Sequence, residues 1–137
     1  MAGITPELNN GVYSIESDHD VDTVMNKLES VLTEKGLGIV ARIDHSANAR
    51  KVDLELPTTQ VLIFGNPKLG TPLMQAASRM ALDLPMKMMA GTAPNGKTLI
   101  SWIDPAHLKS FHGVQGCDEL IDTMSNALKS IASAVAA

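Results

Sequence analysis

The chain has few aromatic side chains: one tyrosine, one tryptophan and two phenylalanines among 137 residues. Tyr13, Phe64, Trp102 and Phe111 cannot fill the interior of a domain of this length, so aliphatic side chains and methionine must do so. Cysteine is scarcer still. Cys117 stands alone, which excludes an intrachain disulfide. Basic charge is also in short supply: 11 Lys and Arg against 15 Asp and Glu give a formal net charge of −4, and no basic run exceeds the pair Arg50-Lys51. Nucleic-acid binding draws on cations that displace counterions at phosphate and on aromatic platforms for the bases. Both are lacking, and no nucleic-acid partner is expected. No apolar run is long enough to cross a bilayer, so no membrane partner is expected either. Met1 to Asn10 carry neither the basic start nor the apolar stretch of a secretory signal. For the sequence as given the expected compartment is the cytoplasm; a periplasmic location requires a leader removed upstream of it.

Enzyme signatures are missing too. The chain contains no G-x-S-x-G elbow, no phosphate-binding loop and no dinucleotide fingerprint. Its carboxylates show no recognisable pairing, and no cofactor is expected. Any catalytic role is left open, with the balance against one. A Cys117/His112 couple offers a nucleophile and a base five residues apart, but it needs an exposed thiolate and an orienting third group.

Hydrophobic residues make up 45% of the sequence and charged residues 19%, the balance of a single globular domain. Residues 1–10 are polar and read as a flexible tail, and residues 11–137 as one α+β domain. Val12 to Glu16 alternate as a short strand. Val21, Val24, Met25, Leu28, Val31 and Leu32 recur at spacings of three and four, which predicts a helix with one apolar stripe. Ser17 and Asp18 are cap types before it, and Gly36 is a natural end after it. Ile39 to Asp44 alternate again. Val52, Leu54 and Leu56 fit a short strand or a short helix. Gln60 to Gly65 reads as a buried strand. Asn66 to Gly70 reads as a loop, and Thr71-Pro72 as the start of a short helix running to about Leu82. Met86 to Ala90 and Leu99 to Ile103 read as strands of a hairpin turning near Asn95-Gly96. A last helix, Asp118 to Val135, carries Leu120, Ile121, Met124, Leu128 and Ile131 on one face. The expected architecture is a two-layer, mostly antiparallel sheet with two long helices on one face (β-α-β4-α) and a short inserted helix. The uncovered sheet face meets solvent or a second copy.

Several blocks resemble a known family. They are Ala41-Arg42-Ile43-Asp44-His45, Leu54-Glu55-Leu56, Phe64-Gly65-Asn66-Pro67 and Gly70-Thr71-Pro72-Leu73-Met74. Asp83-Leu84-Pro85 with Lys87, Asp104-Pro105, and His112-Gly113 ahead of Cys117 complete the set. In this order and spacing they resemble the domain of unknown function 302 family, over about residues 11 to 135. The resemblance implies a single-copy fold like that of the TATA-binding protein, a tendency to homodimerise, and no established activity. It also implies export in many relatives. Trp102-Ile103 and Gly91-Thr92-Ala93 depart from the family pattern and tell against a ligand shared at that hairpin.

Polar residues of these blocks, His45, Asn66, Thr71, Lys87, Asp104 and His112, sit at strand ends or in adjoining loops. Binding groups are often mounted at such places. If the strand ends converge, they form a site for a small polar or anionic ligand. The plainer explanation is local: Asn66-Pro67 and Asp104-Pro105 start turns, and Thr71 caps a helix. A second grouping, Met86, Met88, His112 and Cys117, offers soft ligands suited to copper, against the ordinary use of methionine as core filler. The sequence thus supports three readings: a non-catalytic binding module, a protein-interaction or dimerisation domain without a pocket, and a soft-metal binder.

Overall fold

The computed structural model describes residues 5–137. Six strands form one antiparallel sheet in the order β1-β2-β6-β5-β4-β3. The strands are β1 (Glu7–Asn9), β2 (Val12–Ser17), β3 (Gly38–Asp44), β4 (Thr59–Gly65), β5 (Met86–Thr92) and β6 (Thr98–Ile103). Helices α1 (Val21–Glu34) and α5 (Asp118–Ala136) pack against each other and against one sheet face. Three shorter helices, α2 (His45–Arg50), α3 (Pro67–Ala76) and α4 (Pro105–His112), lie at strand ends, and a 3-10 turn over Ser78–Leu82 follows α3. The α+β, two-layer expectation therefore holds.

The two long helices form where the apolar period placed them. Val21, Val24, Met25, Leu28 and Leu32 of α1 are buried, as are Ile121, Met124, Leu128, Ile131 and Val135 of α5. They meet Leu62 and Phe64 of β4, Met88 of β5 and Ile100 of β6 in one core. Methionines 25, 80 and 88 are almost or wholly inaccessible, so sulfur side chains occupy volume that aromatic rings fill elsewhere. Gly36 ends α1 with φ +74°, and Leu37 N–H returns to the Leu32 carbonyl, the geometry for which glycine is suited. Arg42 of β3 reaches down to Glu29 of α1 at 2.7 Å and to Gln60 at 2.8 Å, tying α1 to the sheet edge.

Several local expectations are corrected. Glu7–Asn9 belong to an edge strand paired with β2, not to a tail; the part of the expected tail at 1–4 lies outside the described residues. The cap of α1 is Asp20, which accepts from Thr23 N–H, instead of Ser17 or Asp18. Ser17 is a buried strand end whose hydroxyl donates to the Ala136 carbonyl. Residues 45–50 are helical because the Asp44 carboxylate accepts from both the Ser46 hydroxyl and Ala47 N–H. Val52, Leu54 and Leu56 form neither strand nor helix and remain exposed. Helix α3 begins at Pro67, capped by Asn66, so Thr71 is inside it and does not cap. Pro105 opens α4, which the strand-and-turn pattern did not reveal.

Strand register defines the face away from the helices. One row across it is Ser14, Ser101, Met89, Val61, Ile43. A row on one side is Glu16, Leu99, Gly91, Thr59. The row on the other joins the pair Val12 and Ile103 to Lys87, Ile63 and Ala41. Among the described residues no helix covers these rows, although most of their side chains are apolar.

Candidate functional site

Cavities in two-layer folds open where helices and strand ends splay apart, and α/β ligands commonly sit at such places. Here a cavity of about 310 Å³ lies between the end of β4, helix α3, the Leu84-Pro85 connection and helix α5. Its floor is Phe64 and Met86, which point from β4 and β5 toward the helices. Met124, Leu128 and Ile131 of α5 form one wall. Leu69 and Met74 of α3 form the facing wall, and Leu37 and Val40 close the β3 side. Gly65 eases a close approach at the corner: a Cβ there would lie 3.2 Å from the Pro85 Cβ, and the ring would have to give by a few tenths of an ångström.

Polar surface is scarce, and among the lining side chains only those of Asn66 and Thr71 carry nitrogen or oxygen. Asn66 Oδ1 accepts the N–H of Lys68 at 2.9 Å in capping α3. Its amide nitrogen is thereby left to donate. Thr71, exposed at the lip, supplies a hydroxyl. The arrangement can enclose an apolar body and hydrogen-bond an acceptor at its rim, but it holds no carboxylate, imidazole or thiol.

Of the six residues read as a site, the fold gathers only Asn66 and Thr71 at this cavity. His45 is exposed at the start of α2. Lys87 pairs with Ile63 on the sheet face away from the helices. Asp104 accepts from Ala106 N–H and caps α4. His112 is buried at the other end of α4, with Nε2 2.5 Å from Asp83 Oδ2. Its Nδ1 has no partner among the described residues. This pair fastens α4 to the 3-10 turn, just ahead of the Leu84-Pro85 wall. The sequence showed polar residues near strand ends but not which side of the sheet each would take. It also did not show that aliphatic residues would outline the cavity.

The soft-metal set is likewise not displayed as a site. Met86 floors the cavity, Met88 is wholly buried, and His112 is engaged with Asp83. Cys117 is partly buried in the left-handed turn before α5 (φ +61°) and makes no capping bond. Among the described residues, no group of three or more His, Cys, Asp or Glu is arranged to hold a metal.

Two carboxylates have lowered pKa values, both at caps. The Ser46 hydroxyl and Ala47 N–H hold Asp44 below its usual range, and the Thr23 N–H does the same for Asp20. Both effects belong to helix starts and not to the cavity.

Comparison with known proteins places this geometry. The profile of the family described as "Domain of unknown function DUF302" matches residues 13–131. Two curated relatives are named fluoride-specific ion channel FluC 1. The one from Brucella suis biovar 1 (strain 1330) is 35% identical over 107 residues, covering 78% of this chain and 42% of its own. The one from Brucella abortus biovar 1 (strain 9-941) has the same identity and extent here, with 40% of its length covered. The chain thus spans about two-fifths of the length of these relatives. None of its described helices is long and apolar enough to cross a membrane. A crystal structure of an uncharacterized conserved DUF302 protein from Bacillus stearothermophilus superposes with a TM-score of 0.74 at 16% identity, covering 93% of this chain and 97% of that one. That likeness shows a shared fold.

Proposed function

The chain belongs to the DUF302 family, whose description assigns no activity, and we propose that it is a non-catalytic binding module for a small amphiphile. The cavity carries this reading: about 310 Å³ walled mainly by aliphatic, methionine and Phe64 side chains, with side-chain nitrogen or oxygen only from Asn66 and Thr71. That volume lies at the lower end of the range for small-molecule sites. The ligand is an aliphatic body with one acceptor group, a carboxylate or carbonyl, at the Asn66 amide and the Thr71 hydroxyl. An anionic head is consistent with the polar or anionic ligand anticipated from the sequence, but the lining makes the body apolar. Lys87 and His45 have no part in it.

The curated relatives' name speaks for longer proteins. The described helices of this chain supply no membrane-crossing segment, so we assign the shared stretch to an attached module and propose no ion conduction for this chain.

Displacement of a polarity-sensitive fluorophore by medium-chain carboxylates tests the reading. Ala127 is exposed on α5 and lines the cavity, so Ala127→Trp fills the space without disturbing the core. Probe and carboxylate should bind the wild type and be lost from the variant at unchanged thermal stability. Binding that the variant leaves intact would place the ligand elsewhere and end the proposal.

A further inference from the structure

Three methionines, Met74 of α3, Met86 of β5 and Met124 of α5, come from distant stretches of the chain to line the apolar cavity. Gap filling explains Met25 and Met88, which have no accessible surface. It is a weaker account of these three, which front open space: Met86 and Met124 keep 8% and 7% of their surface, and Met74 is half-buried. A thioether differs from the aliphatic chains around it in one reaction, because its sulfur lone pair takes oxygen from a peroxide. Thr71 precedes Met74 by one turn of α3 and both line the cavity, so a hydroxyl and a thioether share one side of the helix.

Building on the amphiphile reading of this cavity, we propose that the amphiphiles it takes include organic hydroperoxides, and that Met74, Met86 and Met124 reduce them. The hydroperoxide group occupies the place of the carboxylate, between the Asn66 amide and the Thr71 hydroxyl, and its alkyl chain lies along the apolar wall. The sulfur lone pair attacks the terminal, hydrogen-bearing oxygen. The O–O bond breaks, and its electron pair leaves with the inner oxygen. That oxygen takes the hydroperoxide proton, so the products are an alcohol and methionine sulfoxide: the sulfur is oxidised and the peroxide bond reduced by one electron pair.

The Asn66 amide and the Thr71 hydroxyl donate to the leaving oxygen as its charge develops. Confinement supplies rate, since a bound chain holds its peroxide against the wall instead of meeting a thioether by chance in dilute solution. Each step consumes a thioether. The reaction is stoichiometric, in keeping with a binding module whose cavity holds no carboxylate, imidazole or thiol.

Peptide mass spectrometry follows the sulfoxide at each methionine while the chain meets n-octyl hydroperoxide or, separately, hydrogen peroxide. A Cys117→Ser parent removes the thiol's own reaction with either oxidant. Met89 is the comparator: it is half-buried like Met74 but lies on the sheet face away from the cavity. Hydrogen peroxide should follow exposure, oxidising Met89 and Met74 ahead of Met86 and Met124. Octyl hydroperoxide should raise the rate at the cavity methionines relative to Met89 at least about tenfold over the ratio that hydrogen peroxide gives, with one octanol formed per sulfoxide. Saturating decanoate, or Ala127→Trp, should return the ratio to the hydrogen peroxide value, and Met89→Leu should leave oxidation of the cavity methionines unchanged. A ratio equal for the two oxidants, or a preference that survives both decanoate and Ala127→Trp, overturns the proposal. Equal ratios beside intact carboxylate binding remove the hydroperoxide alone and leave the amphiphile standing; if neither fluorophore nor carboxylate binds, both fall.

Discussion

Lengthening an unbranched carboxylate one methylene at a time measures the cavity from within. Each methylene moved from water to the apolar wall is worth about 0.8 kcal/mol. At an RT of about 0.59 kcal/mol this is about a fourfold gain in affinity per carbon. The gain lasts only while the chain has wall to cover. The cavity holds about 310 Å³, and a methylene needs a volume on the order of 30 Å³, similar to that of a water molecule. The series should therefore steepen to about ten carbons and then level off. Titration calorimetry, or competition with a fluorescent probe, reads the slope and its break. Ala127→Trp, which fills the same space, should abolish binding at every chain length. The head group gives a second check: a methyl ester keeps its carbonyl as an acceptor and should lose little, whereas the alkane should bind far more weakly. An affinity flat with length, or rising without a break well beyond ten carbons, would refute the cavity as the site.

Two further predictions concern the scaffold. His112→Ala removes a buried ring and the partner of Asp83, and should cost about 2–4 kcal/mol in urea unfolding. Asp83→Asn, which keeps an acceptor for the ring, should cost distinctly less; equal losses would show that the Asp83 carboxylate, and not the packing of the ring, sets the cost. Asp44 is held below the ordinary aspartate range by Ser46 and Ala47, so its carboxylate favours the folded state at every pH above that range. The contribution disappears as pH falls through the lowered folded value. Wild type should therefore lose stability more steeply on acidification than Asp44→Asn, and acid unfolding followed by circular dichroism should bring the two curves together; parallel curves would count against the cap.

Much of the fold was legible in the residues. Helices α1 and α5 follow from apolar spacing because a one-sided stripe has one stable use in a two-layer domain. Strands β4, β5 and β6 follow from apolar content and from turn residues between them. Shorter elements were harder. Helices α2 and α4 depend on single capping carboxylates, Asp44 and Asp104, whose side chains serve a turn as well as a helix. Helix α3 begins at Pro67 because Asn66 caps it, although Asn-Pro reads more naturally as a loop. Strand β1 is polar, and only its pairing with β2 identifies it.

The sequence by itself determined the α+β class, the methionine-rich aliphatic core and the acidic balance of charge, because each depends on composition or on a period that neighbouring residues share. Only the tertiary structure decided the candidate site. Side chains alternate across a strand, so one position separates Met86, on the floor of the cavity, from Lys87, on the far face of the sheet. Which face becomes the inside is settled by where α1 and α5 come to rest. That is a contact between distant segments, which local sequence does not specify.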